Sequence, residues 1–301
     1  SAILFAAVFI FWWLMHPEGL YYHEIFQMFL NDSDYFMEVA STPGGLADYL
    51  SEFCVQFYYY PVLGAAIVAL ILASITSAAF KINKEFSPQP NEFSIIYAMP
   101  ALLLWYMMSN LDMMHSTLIA VLLSLLASLA CSAAIRSGQT WRICASLALI
   151  PAGYFLIGPA ICIALIISTA CLIRHKKGPI YIAALIAATA IAMAACMRCA
   201  MHPIAEFFYG IGYQRQHDFD AAIMCAILIS AAAPLISIKS LNKCGKAIIA
   251  IQLAIFAGMA ALAASACSSP MFQTAKYLKW AHEDKWGDII SDAENNRPTT
   301  E

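Results

Sequence analysis

Acidic residues and histidines draw attention in this chain because most of its sequence is uncharged. His23 and Glu24 follow the first apolar stretch, and a second acid and histidine, Asp112 and His115, lie three residues apart. A carboxylate within reach of a hydroxyl can take its proton, and two carboxylates can share a divalent metal. We take Glu24 and Asp112 as candidate catalytic residues and metal ligands. The two histidines are supporting candidates, and solvated or helix-capping roles are the alternative for all four.

The segment 198–220 contains the densest polar cluster beside an apolar stretch. Its arginines, Arg198 and Arg215, are candidates for binding a lipid phosphate, because guanidinium groups pair with phosphate through two hydrogen bonds. The alternative is internal pairing with the neighbouring acids. Three further residues of the segment are supporting candidates: His202, Glu206 and His217.

Cysteines supply one further spacing of chemical interest. Cys196 and Cys199 are separated by two residues, and His202 follows. This spacing is compatible with a redox pair or a metal site, but no second pair of ligands accompanies it. A helix end in a cysteine-rich chain is the alternative, and the sequence does not decide whether the pair is redox-active.

The composition shows which elements must position these groups. Of 301 residues, 62% are apolar and only 12% are charged, and the mean hydropathy is +0.72. Soluble domains carry about 25% charged residues. A net charge of −3 offers no basic surface for nucleic acid. The sequence therefore predicts an all-α, polytopic membrane protein with the lipid bilayer as a partner.

Long uncharged runs predict about nine membrane spans, because about 20 apolar residues cross a bilayer core. The run 143–173 is too long for one span, and Gly158-Pro159 near its middle predicts a turn between two short helices. The predicted spans lie near residues 1–15, 58–80, 93–110, 115–135, 142–157, 160–173, 179–198, 220–238 and 247–267.

Charge distribution predicts the orientation of these spans. Ten of the 16 lysines and arginines fall in loops on one side of the nine-span arrangement, whereas 17 of the 19 acids fall on the other. Basic loops stay in the cytoplasm. We expect a multi-pass protein of the bacterial inner membrane, with a cytoplasmic N-terminus and a periplasmic C-terminus.

Two regions outside the spans are expected to be helical. The first outer loop, 16–57, predicts two amphipathic helices lying on the membrane, with Asp48 and Glu52 on the polar side of the second.

We divide the chain into a transmembrane domain, 1–268, and a tail, 271–301. The tail predicts two short helices like one tetratricopeptide unit. Because one unit cannot bury its own face, we expect more repeats after residue 301.

Two resemblances add to these predictions. The stretch from Tyr35-Phe36 through Pro43-Gly44-Gly45 to Tyr58-Tyr59-Tyr60-Pro61, together with Trp286–Ala293, resembles an uncharacterised family of Bacteroidota membrane proteins. In that family a multi-span half precedes a tetratricopeptide-like extracytoplasmic half, and the resemblance implies no activity.

The layout also resembles GT-C glycosyltransferases, which take sugar from a polyprenyl phosphate. They place an acid after the first span and often a second acid after the third, and Glu24 and Asp112 occupy these places. Basic residues meet the lipid phosphate there, as Arg198 or Arg215 would here. The paired acids and strong motifs of that group are absent, so the likeness is one of architecture.

Three functions remain open at this stage. The first is a GT-C-like transferase that moves sugar from a polyprenyl-phosphate donor to an extracytoplasmic acceptor. The second is a membrane-anchored scaffold whose outer repeats bind proteins, and the third is a transporter. Transporters usually carry ionisable groups inside their spans, and these spans contain almost none. No motif of an ATPase, dehydrogenase, hydrolase or zinc protease occurs.

Overall fold

The computed structural model describes residues 1–87, 95–199, 221–232, 235 and 246–295, and these residues form helices and turns without a strand. The helices are α1 (Ala2–Ile10), α2 (Pro17–Phe26), α3 (Ser33–Ala40), α4 (Gly45–Val55), α5 (Pro61–Phe86), α6 (Met99–Met108), α7 (Ser116–Ser137), α8 (Thr140–Ile157), α9 (Cys162–Arg174), α10 (Pro179–Cys199), α11 (Ala221–Ala232), α12 (Lys246–Ala266), α13 (Pro270–His282) and α14 (Trp286–Asn295).

Several of these helices are long and apolar enough to cross a membrane. Within the described ranges there are five such stretches, or six if the bent pair Ala2–Met15 and Pro17–Phe26 is counted as one. The number nine stays a prediction. Among its described residues, the predicted third span contains a short 3-10 turn, Ile95–Tyr97, and the ten-residue helix α6, and α6 alone is shorter than a bilayer core requires.

The first helix ends in a sharp bend. A π-helical turn, Phe11–Met15, extends α1, and α2 then leaves at 83° to it. Pro17 begins α2, where its missing N–H costs no helical hydrogen bond. Because α2 is nearly perpendicular to α1, it does not continue the apolar segment but lies across its end.

The stretch Thr140–Arg174 is a hairpin and not one straight helix, which confirms the predicted break at Gly158-Pro159. Two adjacent residues of α7 contact the two helices of this hairpin. Cys131 donates from its thiol to the carbonyl of Ser146 on α8, and the Oγ of Ser132 lies 3.2 Å from the Sγ of Cys171 on α9. Gly158 makes the turn with a left-handed φ of +77°.

The hairpin tip stops short of the end of α7. Ser124 donates a 2.7 Å hydrogen bond to the carbonyl of Ala160 at the tip. Ser124 lies eight residues inside α7, so the tip is about 12 Å below the first residue of that helix. Helix α4 packs against both α7 and α8 in the space above the tip.

Basic residues gather at the opposite end of the bundle. Arg136 forms a 3.0 Å ion pair with Glu85, and Arg174 donates a 3.0 Å hydrogen bond to the carbonyl of Phe86. These contacts place the C-terminal ends of α5, α7 and α9 together. Three of the predicted basic clusters therefore share one end of the protein.

The loop 16–57 forms three helices where the sequence predicts two. Helix α2 begins at Pro17, and α3 and α4 follow it. Helix α4 differs from the prediction in the surroundings of its polar face. The expected polar side is turned inward, with Asp48 and Ser51 buried, whereas Phe53 is 44% exposed. Small residues at positions 45 and 47 let this side approach α7 closely, which the apolar residues opposite could not do.

The C-terminal helix pair is packed onto the helices at the bundle end. Phe272 of α13 is buried against Gly19 of α2, and the ring of His282 contacts the rings of Tyr21 and Tyr59. Helix α14 returns along α13, where Asp292 accepts hydrogen bonds from Lys276 and Tyr277. The tail from residue 271 is thus joined to the first outer loop by a buried apolar contact.

Adding one methyl group at Gly19 should loosen this contact. A Cβ there would lie 2.8 Å from Cε1 of Phe272 and 2.8 Å from the ring of Trp12. We expect Gly19→Ala to lower the thermal unfolding temperature of the detergent-purified protein, since overpacking costs about 1–3 kcal/mol. Gly287→Ala is the matched control, because no atom lies within 4 Å of its Cβ position. Equal melting temperatures for both variants would contradict this packing.

Candidate functional site

Buried polar side chains from α2 and from α4 reach the start of α7, and we call them the cluster. His23 comes from α2, Asp48 from α4, and His115 from the turn before α7. All three are at most 5% exposed. Other buried polar residues on the same elements join them: Gln27, Ser51, Ser116 and Thr117. Charged and amide groups are rarely buried without a role, so this is the candidate functional site.

Two histidines form the centre of the cluster. The rings of His23 and His115 meet edge to face with centroids 4.3 Å apart, and Tyr58 packs on His115 at 5.1 Å. The Nε2–H of His23 donates a 3.4 Å hydrogen bond to the carbonyl of Met108. Burial lowers the pKa of His23 to about 4, and burial beside His23 holds the pKa of His115 well below its usual range. Both rings are therefore neutral at pH 7.

Asp48 has the most unusual environment in the cluster. Burial raises the pKa of its carboxyl from 3.8 to about 7, and the nearby charge of Glu52 adds to the rise. The hydroxyl of Ser116 faces the carboxyl and acts in the opposite direction, although the two do not form a well-aligned hydrogen bond. Ser116 is the first residue of α7, whose N-terminus favours negative charge. The carboxyl can therefore exchange a proton near neutral pH.

Many buried polar atoms of this cluster have no hydrogen-bond partner among the described residues. They are Nδ1 of His23, both ring nitrogens of His115, both amide atoms of Gln27, Oδ2 of Asp48, and the hydroxyls of Ser51, Tyr58, Ser116 and Thr117. Each such atom lowers the free energy of unfolding by about 1–3 kcal/mol, so folded proteins seldom contain several of them together. Donors and acceptors concentrated in this way suit the binding of a polar group.

Tight backbone contacts hold α4 over the cluster. Gly44 has a left-handed φ of +85°, and its N–H donates a 2.7 Å hydrogen bond to the carbonyl of Phe155 at the end of α8. A Cβ on Gly45 would lie 1.8 Å from the carbonyl oxygen of Val39, so only glycine fits there. The Pro43-Gly44-Gly45 turn thus fixes the depth of α4 against the hairpin.

Aromatic side chains support α4 from its other side. Phe29 packs on Phe53 at 5.6 Å and on Tyr49 at 5.2 Å, and Phe36 meets Tyr49 at 4.9 Å. Tyr35 donates a short hydrogen bond to Glu52, and burial with this bond raises its pKa. The segment between α2 and α4 therefore presses α4 onto the cluster.

The candidate residues predicted from the sequence lie in different surroundings. His23 and His115 are brought together at the centre of the cluster. Glu24 is half-buried on α2; burial raises its pKa, and His282 opposes the rise. Asp112 is exposed in the turn before α7, and its N–H donates to Oδ1 of Asn110. Arg198 is exposed at the end of α10.

Other candidates lie outside the described residues: His202, Glu206, Arg215 and His217. Cys196 is buried on α10, and the side chain of Cys199 is not among those described. Within the described part of the chain, no group of three His, Cys, Asp or Glu side chains is arranged to hold a metal. A metal shared by Glu24 and Asp112 therefore gains no third protein ligand there.

Sequence reasoning missed Asp48, although a signal for it exists. Gly45, Asp48 and Ser51 recur every third residue, so small and polar side chains share one face of α4. Faces of small residues are typical of close helix packing. The acids on this face are compatible with a water-facing side, but the small residues equally predict a buried polar contact.

The comparison with known proteins decides the family. A family model described as a family of unknown function, DUF6057, matches residues 1–301. The chain belongs to the DUF6057 family. This agrees with the expectation of an uncharacterised family. Neither the curated proteins nor the solved structures contain a match to the chain. The function of this family member must therefore be argued from the cluster itself.

Replacing the buried carboxyl should change how stability depends on pH. Folding raises the pKa of Asp48 from 3.8 to about 7, so protonation of this carboxyl stabilises the folded protein. This contribution to the free energy of unfolding is lost as pH rises from about 4 to about 7. Asp48→Asn cannot ionise. We expect its melting temperature, relative to the natural protein, to be higher at pH 8 than at pH 5.

The pKa values of the buried histidines are lowered by folding, so their contribution to the free energy of unfolding is lost as pH falls below about 6.5. This loss is common to the natural protein and Asp48→Asn. Asp34→Asn is the matched control, because Asp34 is exposed on α3. A difference between Asp48→Asn and the natural protein that is the same at both pH values would show that Asp48 is not titrating in this range.

Proposed function

We propose that this protein is a membrane-integral transferase whose buried cluster accepts a proton from a hydroxyl acceptor. The observation that supports it is the carboxyl of Asp48, buried on α4 against the first residue of α7 with a pKa of about 7. A general base works best when its pKa lies near the working pH. Neither Glu24 nor Asp112 has an environment of this kind, so we assign the base to Asp48.

The reaction we propose is sugar transfer from a polyprenyl-phosphate donor, as in GT-C enzymes. The acceptor hydroxyl oxygen attacks the anomeric carbon, and its proton passes to Asp48. The bond between that carbon and the phosphate oxygen breaks, and polyprenyl phosphate leaves with the electron pair. His115 and Tyr58 would orient the acceptor through nitrogens and a hydroxyl that lack partners among the described residues.

The cellular placement in this proposal follows the charges. We place the basic ends of α5, α7 and α9 in the cytoplasm of a bacterium, Bacteroidota being the expected source. Crossing the inner membrane in about nine spans, the chain would then present α2, α4 and the cluster to the periplasm. A lipid-linked sugar displayed on that side would meet the exposed apolar side of α4, including Phe53.

A second function, a scaffold for protein partners, is favoured by one observation. On α14, Trp286 and Ile290 lie one turn apart and are 58% and 60% exposed. An apolar stripe on the outer helix of a pair is what a further stacked helix or a bound protein would cover. In this proposal α13 and α14 are the first unit of a tetratricopeptide-like series.

Transfer assays distinguish the two functions. The full chain in lipid nanodiscs would be given polyprenyl phosphate carrying radiolabelled glucose, mannose or N-acetylglucosamine, with an alkyl glycoside as acceptor. We expect the natural protein to transfer label and Asp48→Asn to be at least about 100-fold slower, because general base catalysis contributes about 10²- to 10⁴-fold. Donor binding should be retained.

Three matched variants complete that design. Asp34→Asn should transfer at the natural rate, whereas loss of activity in Glu24→Gln or Asp112→Asn alone would return the base to those residues. No transfer by the natural protein from any of these donors would contradict the enzyme. Capture of protein partners that Trp286→Ala abolishes would then support the scaffold.

A further inference from the structure

An open pocket that shares no residue with the cluster lies at the start of α2. It has a volume of about 420 Å³ and forms where the beginning of α2 meets α13. Its lining mixes polar and apolar side chains, and the residues that matter for its chemistry are His16, Glu18, Gln273, Lys276, Lys279 and Trp280. The buried contact between Phe272 and Gly19 closes its floor and holds the two helices in place.

Two ammonium groups one helical turn apart face this pocket. Lys276 lies 3.1 Å from Oδ1 of Asp292 and 4.3 Å from the ring centre of Trp280, so its position is fixed. Lys279 lies 3.9 Å from Glu283, which is bound more closely by Lys285 at 2.6 Å. Lys279 is therefore the cation that is less engaged and can accept another anion.

The rest of the pocket suits the substituent of such an anion. Nδ1 of His16 lies 3.2 Å from Oε1 of Glu18, and the other carboxylate oxygen can accept from hydroxyl donors. Gln273 is exposed at the pocket, where its amide lies near Tyr277 and Asp292 and carries both donors and an acceptor. Helix α13 begins at Pro270 beside the pocket, so the positive end of its dipole adds to the field of the lysines.

We propose that this pocket binds a phosphate monoester, with Lys279 and Lys276 on the phosphate and Trp280 against its substituent. Two ammonium groups suit the double charge of a monoester. The ester is either the head of a lipid in the bilayer beside α1 or a soluble molecule. This binding stands on the pocket alone and holds whether or not the cluster around Asp48 is catalytic.

Binding is tested on the detergent-purified full chain by native mass spectrometry. The probes are inorganic phosphate, glycerol 3-phosphate, phosphatidic acid and, as a lipid without a monoester, phosphatidylcholine. We expect at least one monoester to bind, and Lys279→Gln to weaken that binding about tenfold, as the loss of a charge-assisted hydrogen bond does. Gln273→Glu, which adds a negative charge without disturbing a buried group, should weaken it as well.

The matched control is Lys81→Gln, which removes the same charge from an exposed site on α5. Binding of phosphatidic acid alone would identify a lipid head, and binding of glycerol 3-phosphate would identify a soluble ester; sensitivity to Lys279→Gln supports the site in either case. Absence of monoester binding, or binding that both pocket variants leave as strong as in Lys81→Gln, would overturn the proposal.

Discussion

One backbone hydrogen bond sets the geometry on which the rest of the outer end depends. The N–H of Gly44 donates to the carbonyl of Phe155, and this bond ties the start of α4 to the tip of the α8–α9 hairpin. Because the hairpin ends about 12 Å short of α7, a helix from the first loop can enter the space above it. The polar face of α4 is thereby buried, and Asp48 meets the N-terminus of α7 instead of water.

The arrangement has an energetic cost that the surrounding packing must offset. Burying His23, Asp48 and His115 with several unpartnered atoms opposes folding. Aromatic contacts above α4 and the docking of α13 on α2 supply apolar burial around the same end of the molecule. Proteins tolerate such unfavourable burial mainly at sites that bind a ligand or catalyse a reaction, because residues there serve function as well as stability. The cluster and the lysine pocket lie near opposite ends of α2, so one helix positions both.

Much of this architecture can be predicted from the sequence. Apolar runs give the long helices, Gly158-Pro159 gives the hairpin, and the shared end of the basic residues follows from their loops. The inward face of α4 cannot be predicted in this way, because amphipathicity identifies two faces without telling which one meets water. The burial of Asp48 therefore does not follow from its position on the polar face. Contacts between distant segments, such as Gly19 with Phe272, also leave no local pattern.

The central claim is that the buried carboxyl of Asp48 gains and loses its proton near neutral pH in the folded protein. Infrared difference spectroscopy measures this directly, as the C=O stretch of a protonated carboxyl that is present in the natural protein and missing from Asp48→Asn. We predict that this band is strong at pH 6 and disappears with a midpoint near pH 7. A band that is already gone at pH 5 would show that Asp48 is solvated and would contradict the buried cluster.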